Sequence, residues 1–400
     1  MTLETWLVMA ATRTPTPWGE LLQRFWPVAA VSFGVSLMAT PLCRHLATKW
    51  GLVDQPDTFL KPHARPIPYL GGVAIFAGWA AGIGVALAWA DSRLQWGLMA
   101  GIAVAGLATM LIGLFDDLRV MSARVKLAAN IAVALFILAL GLGDELVRVA
   151  TDFAGVKFAP HERWLELAYS IPVTLLIVVG ACNATNLIDG LDGLCSGVLG
   201  IIALGFLILA IHLRAYGDSP EANERVILAS AMLGAAAGFL PFNLNPATIF
   251  MGDAGSMLLG LNAAVIMLLF AQEHLIRWML GVLMVFGLPI GDMLLTLARR
   301  WRNGRPLMEG DRSHFYDQLV DRGLTVRHVV TISYLLTVAF ALVGISVILL
   351  RTRYAILVYF IAVLAALAGV WKFDMAGLEA GRPGAQASAS RSGGNHNHKV

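Results

Sequence analysis

CNATNLIDGLDGLC, residues 182–195, sets Asn183, Asn186, Asp189 and Asp192 between two apolar stretches, SIPVTLLIVVGA (170–181) and SGVLGIIALGFLILAI (196–211). Both flanks read as parts of membrane-spanning helices, where a polar side chain is costly unless it faces protein or water. The four polar residues recur every three positions. On an α-helix each such step turns about 300°, so the row drifts by about 60° per step and cannot hold one face. Gly190 and Gly193 weaken the helix further. The expectation is a broken or tightly wound segment at the membrane edge, its side chains aimed into a protein-lined or wet cavity. Asn and Asp could serve only to tie down the broken backbone. The reading adopted is direct ligand contact by at least one of Asp189 and Asp192.

The whole composition agrees with a lipid setting. Of 400 residues, 58% are hydrophobic and 14% charged, and the mean hydropathy is +0.72. A soluble domain is about half apolar and about a quarter charged. The expected fold is an all-α integral membrane protein, a polytopic bundle of about eleven transmembrane helices. Candidate spans are 26–46, 69–90, 96–115, 125–142, 167–182, 194–213, 226–241, 254–272, 276–298, 328–350 and 354–372. Gly- and Ala-rich runs such as WAAGIGVALAWA suit close helix packing in lipid. Residues 1–25 form an N-terminal segment on the periplasmic side, without the pattern of a secretory signal. Residues 26–372 form the membrane domain, and 373–400, rich in Gly, Ser and Ala, a disordered cytoplasmic tail. The net charge of +3 gives no case for nucleic acid, and Cys43, Cys182 and Cys195 lie in or beside apolar segments, which argues against a disulfide framework.

With an odd number of spans the termini lie on opposite sides. Placing the C-terminus inside puts 18 of the 29 Lys and Arg residues inside. The same threading puts five polar segments on that one side: KPHARPIPYLGG (61–72), FDDLRVMSARVK (115–126), NATNLIDGLDG (183–193), FNLNPATIFMGDAGS (242–256) and the arginine-rich loop 299–327. Five loops converging on the cytoplasmic face point to one site.

Each segment also has a plainer reading. Asp116 and Asp117 could mark only the emergence of a helix into water, and Arg124 and Lys126 could be positive-inside residues. Asp253 could be the N-cap of the helix that follows it, with Ser256 in the first turn. A carboxylate and small residues at a helix N-terminus also suit a metal–phosphate centre, where Mg²⁺ takes one or two protein carboxylates. Asn243 and Asn245 could satisfy turn backbone, or read a base edge on which Phe250 stacks. Arg312 offers a fork for phosphate and His314 a titratable ring, within a loop that also anchors the positive side. Lys61, His63 and Arg65 are cationic candidates in a stiff, proline-rich loop.

Taken in order, NATNLIDGLDGL, FNLNPATIFMGDAGS, FDD at 115–117 and the loop ending in Gly71-Gly72 resemble the polyprenyl-phosphate N-acetylhexosamine-1-phosphate transferase family. The resemblance spans roughly residues 25–330. Eleven spans and the DRSH loop look closer to its GlcNAc-1-phosphate branch than to the muramoyl-pentapeptide branch. It implies a Mg²⁺-dependent enzyme, with Mn²⁺ as a substitute, in the bacterial inner membrane. UDP-N-acetylhexosamine and undecaprenyl phosphate would be the substrates, and UMP would leave. It implies that Asp253 is the main Mg²⁺ ligand with Asp117 beside it. Asp116 or Asp117 would deprotonate or orient the lipid phosphate, by direct attack rather than an aspartyl-phosphate intermediate. Asn183, Asn186, Asp189, Asp192, Asn243 and Phe250 would hold the nucleoside side. Lys61 and Lys126 would lie near the site, and Arg312 and His314 near the diphosphate. The chain departs from the family's histidine-rich pattern at Tyr316 and Asp317, which puts the donor sugar in question: UDP-MurNAc-pentapeptide is the alternative. Apolar helix faces would accept a homodimer as readily as lipid.

Two rivals come from other classes. Ion-coupled transporters also carry intramembrane acids and broken helices, but near the midplane rather than at one face. Prenyltransferases use DDxxD, and Asp116-Asp117-Leu118-Arg119-Val120 lacks the third acid.

Overall fold

Apolar segments long enough to cross a bilayer must satisfy their backbone internally, and helices are the simplest way to do so. The computed structural model describes residues 15–54, 66–88, 94–156, 159–217, 219, 221–304 and 314–375. Its α-helices are α1 (Trp18–Trp50), α2 (Gly71–Ala88), α3 (Trp96–Leu118), α4 (Ala123–Ala139), α5 (Arg148–Ala154), α6 (Arg163–Leu187), α7 (Leu194–Tyr216), α8 (Ala222–Asn243), α9 (Gly252–Ala271), α10 (Ile276–Val285), α11 (Gly287–Arg302), α12 (Phe315–Asp321), α13 (Val326–Leu349) and α14 (Thr352–Lys372). A two-residue ribbon pairs β1 (Val53–Asp54) antiparallel to β2 (Ile67–Pro68).

Every candidate span has a helical counterpart, with three differences. Nine helices among the described residues are long and apolar enough to cross a membrane. The segment expected at 276–298 is two helices, α10 and α11, bent by 74° at Phe286. The segment expected at 125–142 is α4, only 17 residues. The first span starts earlier than expected, at Trp18, and α1 runs for 33 residues. At 1.5 Å per residue that is about 50 Å, more than the roughly 30 Å of hydrocarbon, so α1 projects beyond the bilayer. Gly51, at φ +69°, ends it in a left-handed cap.

The bundle is built around α9. All of its 18-residue apolar window is buried, against 6% for the peripheral α14. In lipid, helices associate through close backbone approach, which small residues permit. A Cβ on Gly72 of α2 would come within 2.6 Å of the Ala254 Cβ. A Cβ on Gly113 of α3 would meet the Asp253 backbone at 2.5 Å, and one on Gly260 the Ala181 carbonyl of α6 at 2.7 Å. These contacts press α2, α3 and α6 onto the central helix.

Helix order places residues 51–54, 66–70, 119–122, 188–193, 244–251, 303–304 and 314–325 at one end of the bundle. The other end has its own ionic ties. Arg225, buried, pairs with Glu273 at 2.9 Å and donates to the Leu269 carbonyl. Arg163 bridges Glu145 and Asp144 at 2.7 and 2.9 Å. The far loops are therefore more organised than their mixed composition suggested.

Candidate active site

The N-terminus of α9 is the site's fixed point. Gly252 opens the helix at φ +65°, a conformation that costs a residue with a side chain. Both oxygens of Asp117, from the end of α3, accept from the first backbone N–H groups: Oδ1 from Asp253 N at 2.8 Å and Oδ2 from Ala254 N at 3.1 Å. The N-cap is therefore supplied by Asp117 from another helix, and Asp253 is not its own cap as the local sequence suggested. A carboxylate there also suits the helix dipole. Asp253 is left with its side chain free for other partners. A Cβ on Gly252 would lie 2.8 Å from the Asp117 carboxyl carbon, so glycine is needed for space as well as for backbone.

Lys126, near the start of α4, draws three groups together. Its ammonium pairs with Asp253 Oδ2, with Asp116 Oδ2 at 2.9 Å and with Asn186 Oδ1 at 3.3 Å. Asn186 Nδ2 donates to Asp253 Oδ1 at 2.6 Å. Asp116 Oδ1 accepts from Met121 N at 2.6 Å, so it fixes the turn between α3 and α4 as well. Of the acid pair, Asp117 lines the cavity described next, and Asp116 holds Lys126.

The cavity, of about 610 Å³, is lined by Asp117, Asn186 and Asp253, by Asp189 to Asp192, by Asn243, Asn245 and Phe250, and by Asp54, Tyr69, Gly252 and Val326. The opening stretch forms one wall, though not as a broken helix throughout. α6 continues through Asn183 and Asn186 to Leu187, and only 188–193 leaves the helix. Asn183 is not among the lining residues; it donates to Val179 O in its own helix, at 2.7 Å. Asp192 Oδ2 accepts from Asn245 Nδ2 and Ala247 N, at 2.9 and 3.0 Å, which ties the turn to loop 244–251. Asn243, buried, accepts from Gly193 N and Ser196 Oγ and donates to Ile249 O, so most of its amide is spent on protein. Phe250 exchanges backbone bonds with Pro68 and Gly71, which sets its ring in the wall.

Asp189 differs from the others. No hydrogen bond reaches its carboxylate among the described residues. Desolvation by burial pushes its carboxyl well above the ordinary range, and the charges of Asp253, Asp117 and Asp192 add to the push.

His314 lies beside this wall rather than in it. Its Nδ1 contacts Asp292 Oδ2 at 2.7 Å and Thr296 Oγ1 at 3.2 Å, and Asp292 Oδ1 accepts from Phe315 N at 2.9 Å. With Nδ1–H donated to the carboxylate, Nε2 remains for another group. The Tyr316 ring stacks on the imidazole. Lys61 and Arg312 lie outside the described residues, as do His63 and Arg65.

Asp54, Tyr69, Asp292 and Val326 belong to the site or its support but do not stand out in the sequence; Asn245, read there as a turn or base-edge amide, lines the cavity. Asp292 had a signal: it is an acid inside the apolar run LPIGDMLL, and ionisable residues within spans usually have a function. Tyr69 lies within the segment KPHARPIPYLGG, but nothing local separates it from turn residues.

Among the described residues no three His, Cys, Asp or Glu side chains close into a metal cage. A hard cation in a phosphate-transfer site takes one or two carboxylates and completes its shell with substrate oxygens and water. Asp253, Asp117 and Asp189 provide oxygen donors of that kind, and one of them carries no protein hydrogen bond. The donor set fits Mg²⁺. Lys126 supplies the positive charge that Asp253 needs otherwise.

Comparison with known proteins adds the following. The sequence model described as "Glycosyl transferase family 4" matches residues 99–271. A protein of Bacillus subtilis (strain 168), described as a probable undecaprenyl-phosphate N-acetylglucosaminyl 1-phosphate transferase, is 32% identical over 354 residues, covering 85% of this chain and 92% of its own. The decaprenyl-phosphate N-acetylglucosaminephosphotransferase of Mycobacterium tuberculosis (strain CDC 1551 / Oshkosh) is 33% identical, covering 75% of this chain and 77% of its own. A phospho-N-acetylmuramoyl-pentapeptide-transferase of Chlorobium luteolum is 30% identical, covering 72% and 81%.

Proposed function

This chain belongs to glycosyl transferase family 4, and we propose that it transfers N-acetylglucosamine 1-phosphate from UDP-GlcNAc to undecaprenyl phosphate, releasing UMP. The observation that carries this reading is the meeting of Asp117, Asn186, Asp189, Asp192 and Asp253 in one cavity at one end of a membrane bundle. A site at the end of the helices can take a water-soluble donor from one side and a lipid acceptor from the bilayer. A transporter needs its acids near the midplane, which is not where these lie.

A lipid phosphate oxygen forms a bond to the sugar-bearing phosphorus. The bond from that phosphorus to the bridging oxygen breaks, and UMP leaves with the oxygen. Carboxylates alone would repel a diphosphate. Mg²⁺, with Mn²⁺ as a substitute, would be held by Asp253 with Asp117 or Asp189, and when bound would offset charge on the diphosphate. Asp117, the member of the acid pair that lines the cavity, is placed to take the proton of the lipid phosphate or to orient it. Asp116 keeps Lys126 across Asp253. Phe250 and Tyr69 present ring faces for the uracil, and Asp189 and Asp192 present acceptors beside them. Asp292 orients His314, whose Nε2 is then available to the diphosphate.

The protein is a multi-pass membrane protein. The reading puts it in a bacterial inner membrane with the cavity facing the cytoplasm, in support of which most of the Lys and Arg residues among the described ones lie toward the cavity end. It would act at the initiating membrane step of a cell-envelope polysaccharide.

The test is a panel of UDP-sugars, with purified protein, Mg²⁺ and undecaprenyl phosphate. UMP release is expected with UDP-GlcNAc, and Asp253→Asn should reduce it by at least about a thousandfold while the protein stays folded. No turnover with any UDP-N-acetylhexosamine would reject the enzyme. Substantial activity in the variant would reject the metal role of Asp253.

A further inference from the structure

We propose that Tyr316 is a positioning residue that holds the aspartate turn, 188–193, in register with His314 for binding of the nucleotide-sugar. The proposal rests on the transferase reading above and deepens it at a position where the chain departs from the histidine-rich pattern.

Tyr316 is 3% exposed, on α12, and reaches both parts of the site. Its ring lies parallel to the imidazole of His314, with 5.2 Å between centroids and 6° between planes. Its hydroxyl donates to the Leu187 carbonyl at 2.7 Å. Leu187 is the last residue of α6, and its carbonyl has no partner within the helix. Asp189 follows two residues later. Gly190 leaves the space the ring fills: a Cβ there would come within 2.6 Å of Tyr316 Cε2. Burial keeps the hydroxyl protonated, since it pushes the phenol well above its usual range, with the carboxylates of Asp317, Asp292 and Asp189 adding to the shift. The hydroxyl therefore remains a donor.

The far end of the turn is held in the same way. Tyr334 of α13 donates to the Gly193 carbonyl at 2.5 Å. Only Tyr316 of the two also touches His314, which Asp292 fixes from α11. A displacement of Tyr316 would thus move Asp189 relative to His314, although Tyr316 does not line the cavity.

The test uses the full chain in lipid nanodiscs. Tyr316→Phe keeps the ring and its stack but loses the hydrogen bond. The KM for UDP-GlcNAc should rise about fivefold, and the Kd for UMP alone should rise equally, as expected for one net hydrogen bond. The KM for undecaprenyl phosphate should hold and kcat should change less than about twofold. Gly190→Ala, which pushes on the ring from the other side, should show the same pattern, and the double variant should fall short of the product of the two effects. An unchanged UMP Kd in Tyr316→Phe would overturn the proposal. So would a parallel loss for both substrates with a lowered unfolding temperature, the sign of a merely structural role. If the wild type binds UMP yet turns over no UDP-sugar, the transferase reading falls while the UMP comparison still decides this one. A wild type that neither binds nor turns over overturns both.

Discussion

Asp189 sits in a cavity that already holds Asp117, Asp192 and Asp253, and no protein group donates to its carboxylate among the described residues. An ionised carboxylate so placed opposes folding, and a site tolerates such a group when a ligand satisfies it. The sign of the effect follows from the raised folded-state value. Below the ordinary carboxylate range the side chain is protonated in folded and unfolded chains alike, and the penalty is absent. It grows as pH rises from that range to the raised value and is full above it. Asp189→Asn should therefore stabilise the unliganded protein most at high pH, raising the unfolding midpoint there by about 2–4 °C, and not at all in acid. The same variant should lower turnover at least about tenfold. Thermal scans across pH, beside UMP-release assays, check both. A variant less stable at high pH would show that Asp189 is satisfied within the protein.

At the scale of elements, α9 determines the site. Its start depends on one glycine and one distant carboxylate. Gly252→Ala forces a left-handed conformation that costs about 1–2 kcal/mol and drives a Cβ into Asp117. The variant should lose thermal stability and at least about tenfold in turnover, measured on the same preparations. Wild-type values for both would mean that the Asp117 cap does not set Asp253. The spans themselves were legible in the sequence, because each is an apolar run bounded by polar loops. The bend at Phe286 was not, since 276–298 is mostly apolar and long enough for one span, and Gly287 and Pro289 beside the break can also be accommodated within a membrane helix. Three-residue spacing correctly denied the four polar residues a common helical face. It did not reveal that α6 persists to Leu187, because tertiary packing on α9 outweighs the weak propensity of Asn and Thr. The capping of α9 was illegible for another reason: Asp117 lies 136 residues away from the N–H it meets, and local patterns carry no such information. The pairing of His314 with Asp292 was hidden likewise, across 22 residues.

For the molecule as a whole, the decisive property is that five loops share one end. Parity alone predicted this, and helix order bears it out for the described residues. Which side of the membrane that end faces can be read with an impermeant maleimide, because Cys43, Cys182 and Cys195 are buried. Val120→Cys at the cavity end, 96% exposed, should label only after the membrane is opened. Trp164→Cys at the other end should label on intact cells. The reverse pattern would place the cavity outside, away from cytoplasmic UDP-sugars. The central claim is that sugar and phosphate move together onto the lipid. UDP-GlcNAc carrying ³²P in its β-phosphate tests it most directly, with undecaprenyl phosphate and Mg²⁺ present. The account predicts that the label passes into the lipid fraction as UMP is released unlabelled. Label recovered in free UDP, with unlabelled sugar on the lipid, would contradict it.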